Sequence, residues 1–115
     1  MESWRLAEIE TPDGSRSPLV LKSEDHGRAV LVGLDPGQAL GDHQVKEHAW
    51  IVVVDGSVTF RAGGKEAPGP TGTLAHFEPD ERHSVSSESG AKILLVLAPW
   101  PGPGHYRGDR TTVSG

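Results

Sequence analysis

Short apolar stretches alternate with turn residues along most of this chain, and no window repeats its apolar positions with a helical period. Residues 18–22 predict a strand, followed by a turn at Ser23-Glu24-Asp25-His26-Gly27. Residues 28–35 predict a second strand, ended by Asp35-Pro36-Gly37. The strongest strand pattern covers 45–54 and stops at Asp55-Gly56, a hairpin signal that predicts a return strand over 57–62. Gly63-Gly64 turns the chain again, and 66–72 reads as a Pro/Gly loop. A short strand over 73–78 closes at Pro79-Asp80. Residues 83–87 and 91–98 then form a last hairpin across Glu88-Ser89-Gly90. Turns spaced about eight to twelve residues apart predict an all-β, antiparallel sandwich or barrel.

The run Ala49-Trp50-Ile51-Val52-Val53-Val54 is apolar on both faces, whereas a sheet with one wet face would alternate. Its outer face is therefore expected to be covered, by the N-terminal segment or by a second copy of the chain, and a homodimer is the expected assembly. From Pro99 onward, prolines at 99, 101 and 103 exclude helix and central strand. Residues 1–98 are thus expected to form the β domain. Residues 99–115 are expected to be a Pro/Gly-rich tail, pinned by Trp100 and disordered beyond Tyr106. Arg107-Gly108-Asp109 spells an adhesion tripeptide, which we read as coincidence.

With 115 residues, the chain has room for one core and no more. Its 15 glycines and 9 prolines leave little space for long helices. A net charge of −5 without a basic cluster argues against nucleic acid and against an anionic membrane surface. The longest apolar runs, such as 93–98, are far too short to span a bilayer. The start, Met1-Glu2-Ser3-Trp4, shows no signal-peptide pattern. No cysteine is present, which excludes disulfides, thiol catalysis and cysteine-held metal, and makes a cytoplasmic location the expectation. No serine sits in a nucleophile elbow, and no glycine run precedes a helix as a phosphate loop would. What remains is six histidines.

Two segments carry a resemblance. Gly41-Asp42-His43-Gln44-Val45-Lys46-Glu47-His48-Ala49-Trp50, running on to Gly56, resembles the first cupin motif. Residues 72–85, with Phe77-Glu78-Pro79-Asp80-Glu81-Arg82-His83, resemble the second. The resemblance covers about residues 28–98. It implies a cupin-type barrel (double-stranded β-helix, or jelly roll) with an apolar cavity, for which alternation makes Ile51, Val53, Phe60 and Leu95 candidate wall residues. It also implies a divalent transition metal (Fe, Zn, Mn, Ni or Cu) held by two histidines and a glutamate of motif one and a histidine of motif two. Counted back from Gly56, His43 falls on the first histidine and His83 on that of motif two. Val45 and Ala49 occupy the other two ligand positions.

His48 and Glu47 stand beside those vacated positions. Strand parity sends His48 outward with Trp50 and Val52, but a bulge near Lys46-Glu47 would reverse it. A three-histidine site of His43, His48 and His83 then follows. Glu47 turned inward would instead give two histidines and a carboxylate, an iron(II)-type facial triad. His76 is an alternative ligand or supporting residue, expected mainly as a packed histidine. His26 and His105 are expected to be solvated, and Glu78, Asp80 and Glu81 to form a solvated acidic turn. The functional expectation is metal-dependent, dioxygenase- or isomerase-like chemistry on a small organic molecule. The alternative is a metal-free ligand-binding or sensing barrel whose metal site is degenerate. A third reading is metal-free sugar isomerase or epimerase chemistry with His83 as base.

Overall fold

The structure is a computed structural model that describes residues 1–11 and 18–102, without the side chains of residues 42 and 43. The expectations for His105, for Tyr106 and for residues 103–115 lie outside the described residues. After a short 3-10 turn at Leu6–Glu8 come β1 (Leu19–Glu24), β2 (Gly27–Leu34), β3 (Ala39–His43) and β4 (His48–Ala62). β5 (Lys65–Pro70), β6 (Leu74–Phe77), β7 (His83–Ser86) and β8 (Ala91–Ala98) complete the order. Every strand pairing is antiparallel, along the path β1-β2-β8-β4-β7-β3, with β5 and β6 both paired to β4.

β4 organises the fold. It runs 15 residues without a hairpin at Asp55-Gly56, so the two strands expected over 45–54 and 57–62 are one. The dipeptide still changes the chain's direction. Gly56 has a φ of 84°, and the ladder to β8 slips between Val53 and Asp55. The first half of β4 pairs with β6 and β8, the second half with β5 and β7, so one bent strand serves both sheets of the barrel. The true hairpin follows at Gly63-Gly64, where φ values of 58° and 78° join Ala62 to its partner Lys65. The expected Pro/Gly loop over 66–72 is mostly β5. Its Pro68 and Pro70 are tolerated because β5 pairs only with β4.

Alternation along β4 buries Ala49, Ile51 and Val53 and leaves Trp50 on the other face. The buried set meets Val30, Val32, Phe60, Phe77, Val85, Ile93 and Leu97 in one core, with Leu95 packed against it. The expected cover for the outer face is supplied in part by the N-terminal segment. The Lys92 ammonium donates to the backbone carbonyls of Leu6, Ala7 and Ile9, and Thr11 lies so close over Gly33 that a methyl there would overlap its side chain. Lys92 and Gly33 are a register pair. Leu31, which shares the face of Gly33, is wholly buried. Glu2 joins the same arrangement through Lys22, whose pKa is raised chiefly by its 2.6 Å hydrogen bond to that carboxylate.

Candidate functional site

The β4–β6 register assembles the first group. Trp50 lies opposite His76, and Ala49 opposite Phe77. Paired residues share a face, so Ala49 and Phe77 enter the core while Trp50 and His76 stand outside. His48, two residues from Trp50, shares its face and reaches His76 diagonally. His48 Nδ1 and His76 Nε2 share a hydrogen bond at 2.9 Å, and their rings stack with centroids 5.2 Å apart. Trp50 also lies against His76, at 4.4 Å between centroids. Beyond the end of β6, the Glu78 carboxylate comes to 3.6 Å from His76 Nδ1. The Glu81 carboxylate accepts the Glu78 backbone N–H at 2.9 Å, which steadies the turn carrying it. One donor atom from each of His48, His76 and Glu78 lies within 4.8 Å of the others, a group that could hold a metal ion. Two ligands bonded to one ion at about 2.1 Å cannot be more than about 4.2 Å apart. In a tetrahedral site they stand about 3.4 Å apart, so the group would have to draw together around an ion.

The second group lies inside. Glu47 and His83 are both fully buried, a rare state for such side chains unless they are paired or ligating. One Glu47 oxygen accepts the Gly102 backbone N–H at 2.7 Å. His83 stacks on Phe77 at 4.2 Å with the rings 8° from parallel, and its Nδ1 bonds the Glu81 carbonyl at 2.9 Å. A carbonyl only accepts, so Nδ1 carries the hydrogen and the lone pair of the neutral ring is on Nε2. The two motif segments are tied together. Lys46 pairs with Asp80 at 2.7 Å, the Gln44 amide donates to the Asp80 carbonyl, and the Asp80 N–H donates to the Val45 carbonyl. Asp80 adopts a φ of 67°, which aspartate tolerates in a turn.

The structure thus places the expected ligands on two faces. His83 and Glu47 are interior, whereas His48 follows strand parity outward, and the proposed bulge does not turn it. His48 and His83 are not brought together. His43 is the register partner of His83 across β3 and β7, and its side chain lies outside the described residues. His76, expected mainly as a packed histidine, and Glu78, expected as part of a solvated turn, complete the outer group instead. Strand parity already put His48 outside. What the sequence lacks is the register that sets Trp50 against His76.

Between the edges of β5 and β6 opens a cleft of about 450 Å³. Phe60 and Phe77, with ring centroids 6.2 Å apart, line it together with Ala62 and Ala75, and His76 stands at its border. Of the expected wall residues, Phe60 borders this cleft. Ile51, Val53 and Leu95 belong to the packed core.

No curated protein matches the chain. Residues 30–98 match the cupin domain family. Among solved structures, an RmlC-like cupin protein from Desulfovibrio desulfuricans is 24% identical with a TM-score of 0.77, over 86% of this chain and 97% of that one. TT1209 from Thermus thermophilus is 27% identical with a TM-score of 0.75, over 86% and 98%. A cupin superfamily protein from Desulfitobacterium hafniense is 10% identical with a TM-score of 0.70, over 79% and 82%. With the family match spanning most of the barrel and these structures sharing its strands, the chain belongs to the cupin family.

Proposed function

We propose that this cupin binds a divalent transition metal through His48, His76 and Glu78, beside a cleft that takes a small organic molecule. The observation that carries the reading is the 2.9 Å approach of two imidazoles with a carboxylate next to them. Neutral imidazoles with one carboxylate suit iron, zinc, nickel or copper and leave coordination positions open. A bound ion would supply Lewis acidity to a molecule lodged in the cleft. The protein's own residues would do the rest. Trp50 holds the His76 ring, an ion would take the place of the hydrogen bond between the two imidazoles, Glu81 holds the turn of Glu78, and Phe60 and Phe77 exclude water from the cleft. A second copy of the chain is part of this reading, supported by the exposed Trp50 and Leu74 on the same outer face.

A second reading places the ion inside, on Glu47 and His83. It is favoured by the complete burial of Glu47 and His83. Elemental mass spectrometry of protein purified without chelator separates the two. Near-stoichiometric metal, lost in His48→Ala and His76→Ala but kept in His83→Ala, is the expected result. Metal lost only in His83→Ala and Glu47→Gln would move the ion inside. No metal in any form, even after reconstitution, would overturn both readings and leave a metal-free binding barrel.

A further inference from the structure

The charges around the cleft are not balanced in function. Three charged side chains line it: Lys65, Glu66 and Glu81. The Glu66 carboxylate is held by the Arg61 guanidinium at 2.6 Å. The Glu81 carboxylate accepts the Glu78 backbone N–H. Lys65 forms no salt bridge among the described residues. Its ammonium stands at the start of β5 on an exposed stem, at a cleft whose lining joins apolar groups such as Phe60, Pro68, Leu74 and Phe77 to the polar side chains of Glu66, Thr73, His76 and Glu81. The volume falls within the range of about 300 to 1,000 Å³ typical of small-molecule sites.

We propose that this cleft selects a small organic acid with an apolar, preferably aromatic, body. Phe60 and Phe77 line the cleft and take the body. Lys65 reads the carboxylate. An amine would meet Lys65 as a like charge, and the Glu66 carboxylate is paired with Arg61. The inference deepens the metal reading, because His76 borders the same cleft and an ion held there would add a second positive centre for the acid. Lys65 acts without that ion.

The test uses calorimetric titration of the full chain with phenylacetate, phenylacetamide and phenethylamine, after chelation and again after zinc loading. The acid should bind the chelated protein about fivefold more tightly than the amide, the upper end of what a solvent-exposed ion pair contributes. The amine should bind most weakly. Lys65→Gln should bring the acid down to the amide, and Lys65→Arg should keep the preference. Phe60→Leu should weaken acid and amide by similar factors. Equal affinity for acid and amide in the unaltered protein, a preference that survives Lys65→Gln, or no binding of any probe would overturn the proposal. If zinc fails to load but the acid preference stands, the metal reading fails alone. If zinc loads and no acid preference appears, this inference fails alone.

Discussion

Replacing Gly56 with alanine tests how the bent strand joins the two sheets. Gly56 has a φ of 84° and is paired with Ala91 on β8. A methyl added there would overlap the Gly90 carbonyl oxygen and come within 2.9 Å of the Ala91 Cα. Both are backbone atoms, so neither can rotate aside. The left-handed conformation costs an alanine about 1 to 2 kcal/mol. The overlap adds about 1 to 3 kcal/mol, the usual cost of forcing extra volume into a packed region. Gly56→Ala should therefore destabilise the fold by about 2 to 5 kcal/mol. Gly72 supplies the control, because its φ of 94° is also left-handed but nothing lies within 4 Å of an added methyl. Gly72→Ala should cost only the conformational part, about 1 to 2 kcal/mol. Urea unfolding followed by circular dichroism measures both. With slopes of about 1 to 3 kcal/mol per molar urea, the Gly56→Ala midpoint should fall clearly further than that of Gly72→Ala. Equal midpoints would show that the β4–β8 junction yields to a methyl, and would refute the claim that the bend is held by close backbone contact.

Two further substitutions probe what covers the barrel. Lys92→Met removes an ammonium that donates to three carbonyls of the N-terminal segment. It should cost about 1 to 3 kcal/mol and speed amide exchange over residues 6–11; unchanged exchange would show that other contacts hold the segment. Gly102→Ala would push a methyl into the Lys46 carbonyl oxygen and to 3.2 Å from Glu47 Cγ. It should displace the Gly102 N–H from the buried Glu47 carboxylate at a cost of about 1 to 3 kcal/mol, with faster exchange at residues 100–102 as the readout.

The strands were legible where two faces differ in polarity or where turn residues are unambiguous, as over 28–35, 83–87 and 91–98, but the last two do not form the expected hairpin: β7 pairs with β3 and β4 and β8 with β2 and β4, on either side of the bent β4. The sequence misled at Asp55-Gly56, where a left-handed glycine serves a bend rather than a hairpin. The glycine is left-handed in either role, and the pairing partners distinguish them. It misled again over 66–72, because Pro68 and Pro70 speak against a central strand but not against one that pairs on one side only. In the site, parity correctly separated His48 from Trp50's buried neighbours. The partnership of His48 with His76 and Glu78 was not legible, since it depends on a cross-strand register between residues 28 positions apart in sequence. The burial of Glu47 was open in the sequence as one of two alternatives, and Gly102 and the tied Lys46–Asp80 pair select it.

The two polar groups follow from a single property of the start of β4. Glu47 and His48 are neighbours in sequence, and side chains alternate across an extended chain. One donor must therefore turn into the barrel when the other turns out. Ala49 then sits in the core opposite Phe77, where the cupin resemblance would place a glutamate, and Phe77 fills the space beside it against His83. A carboxylate at position 49 would have to share that space with a packed phenylalanine stack. A donor at 48 meets no such obstacle, because the outer face at Trp50 is only partly covered. On the proposed reading, an ion on His48, His76 and Glu78 is reached from solvent along the edge of β6, without opening the barrel. The stack of Phe77 on His83 separates that approach from the interior pair. Substitutions at His48 and at His83 should then act independently on metal content and on stability, since one removes a group from the outer face and the other a group from the interior.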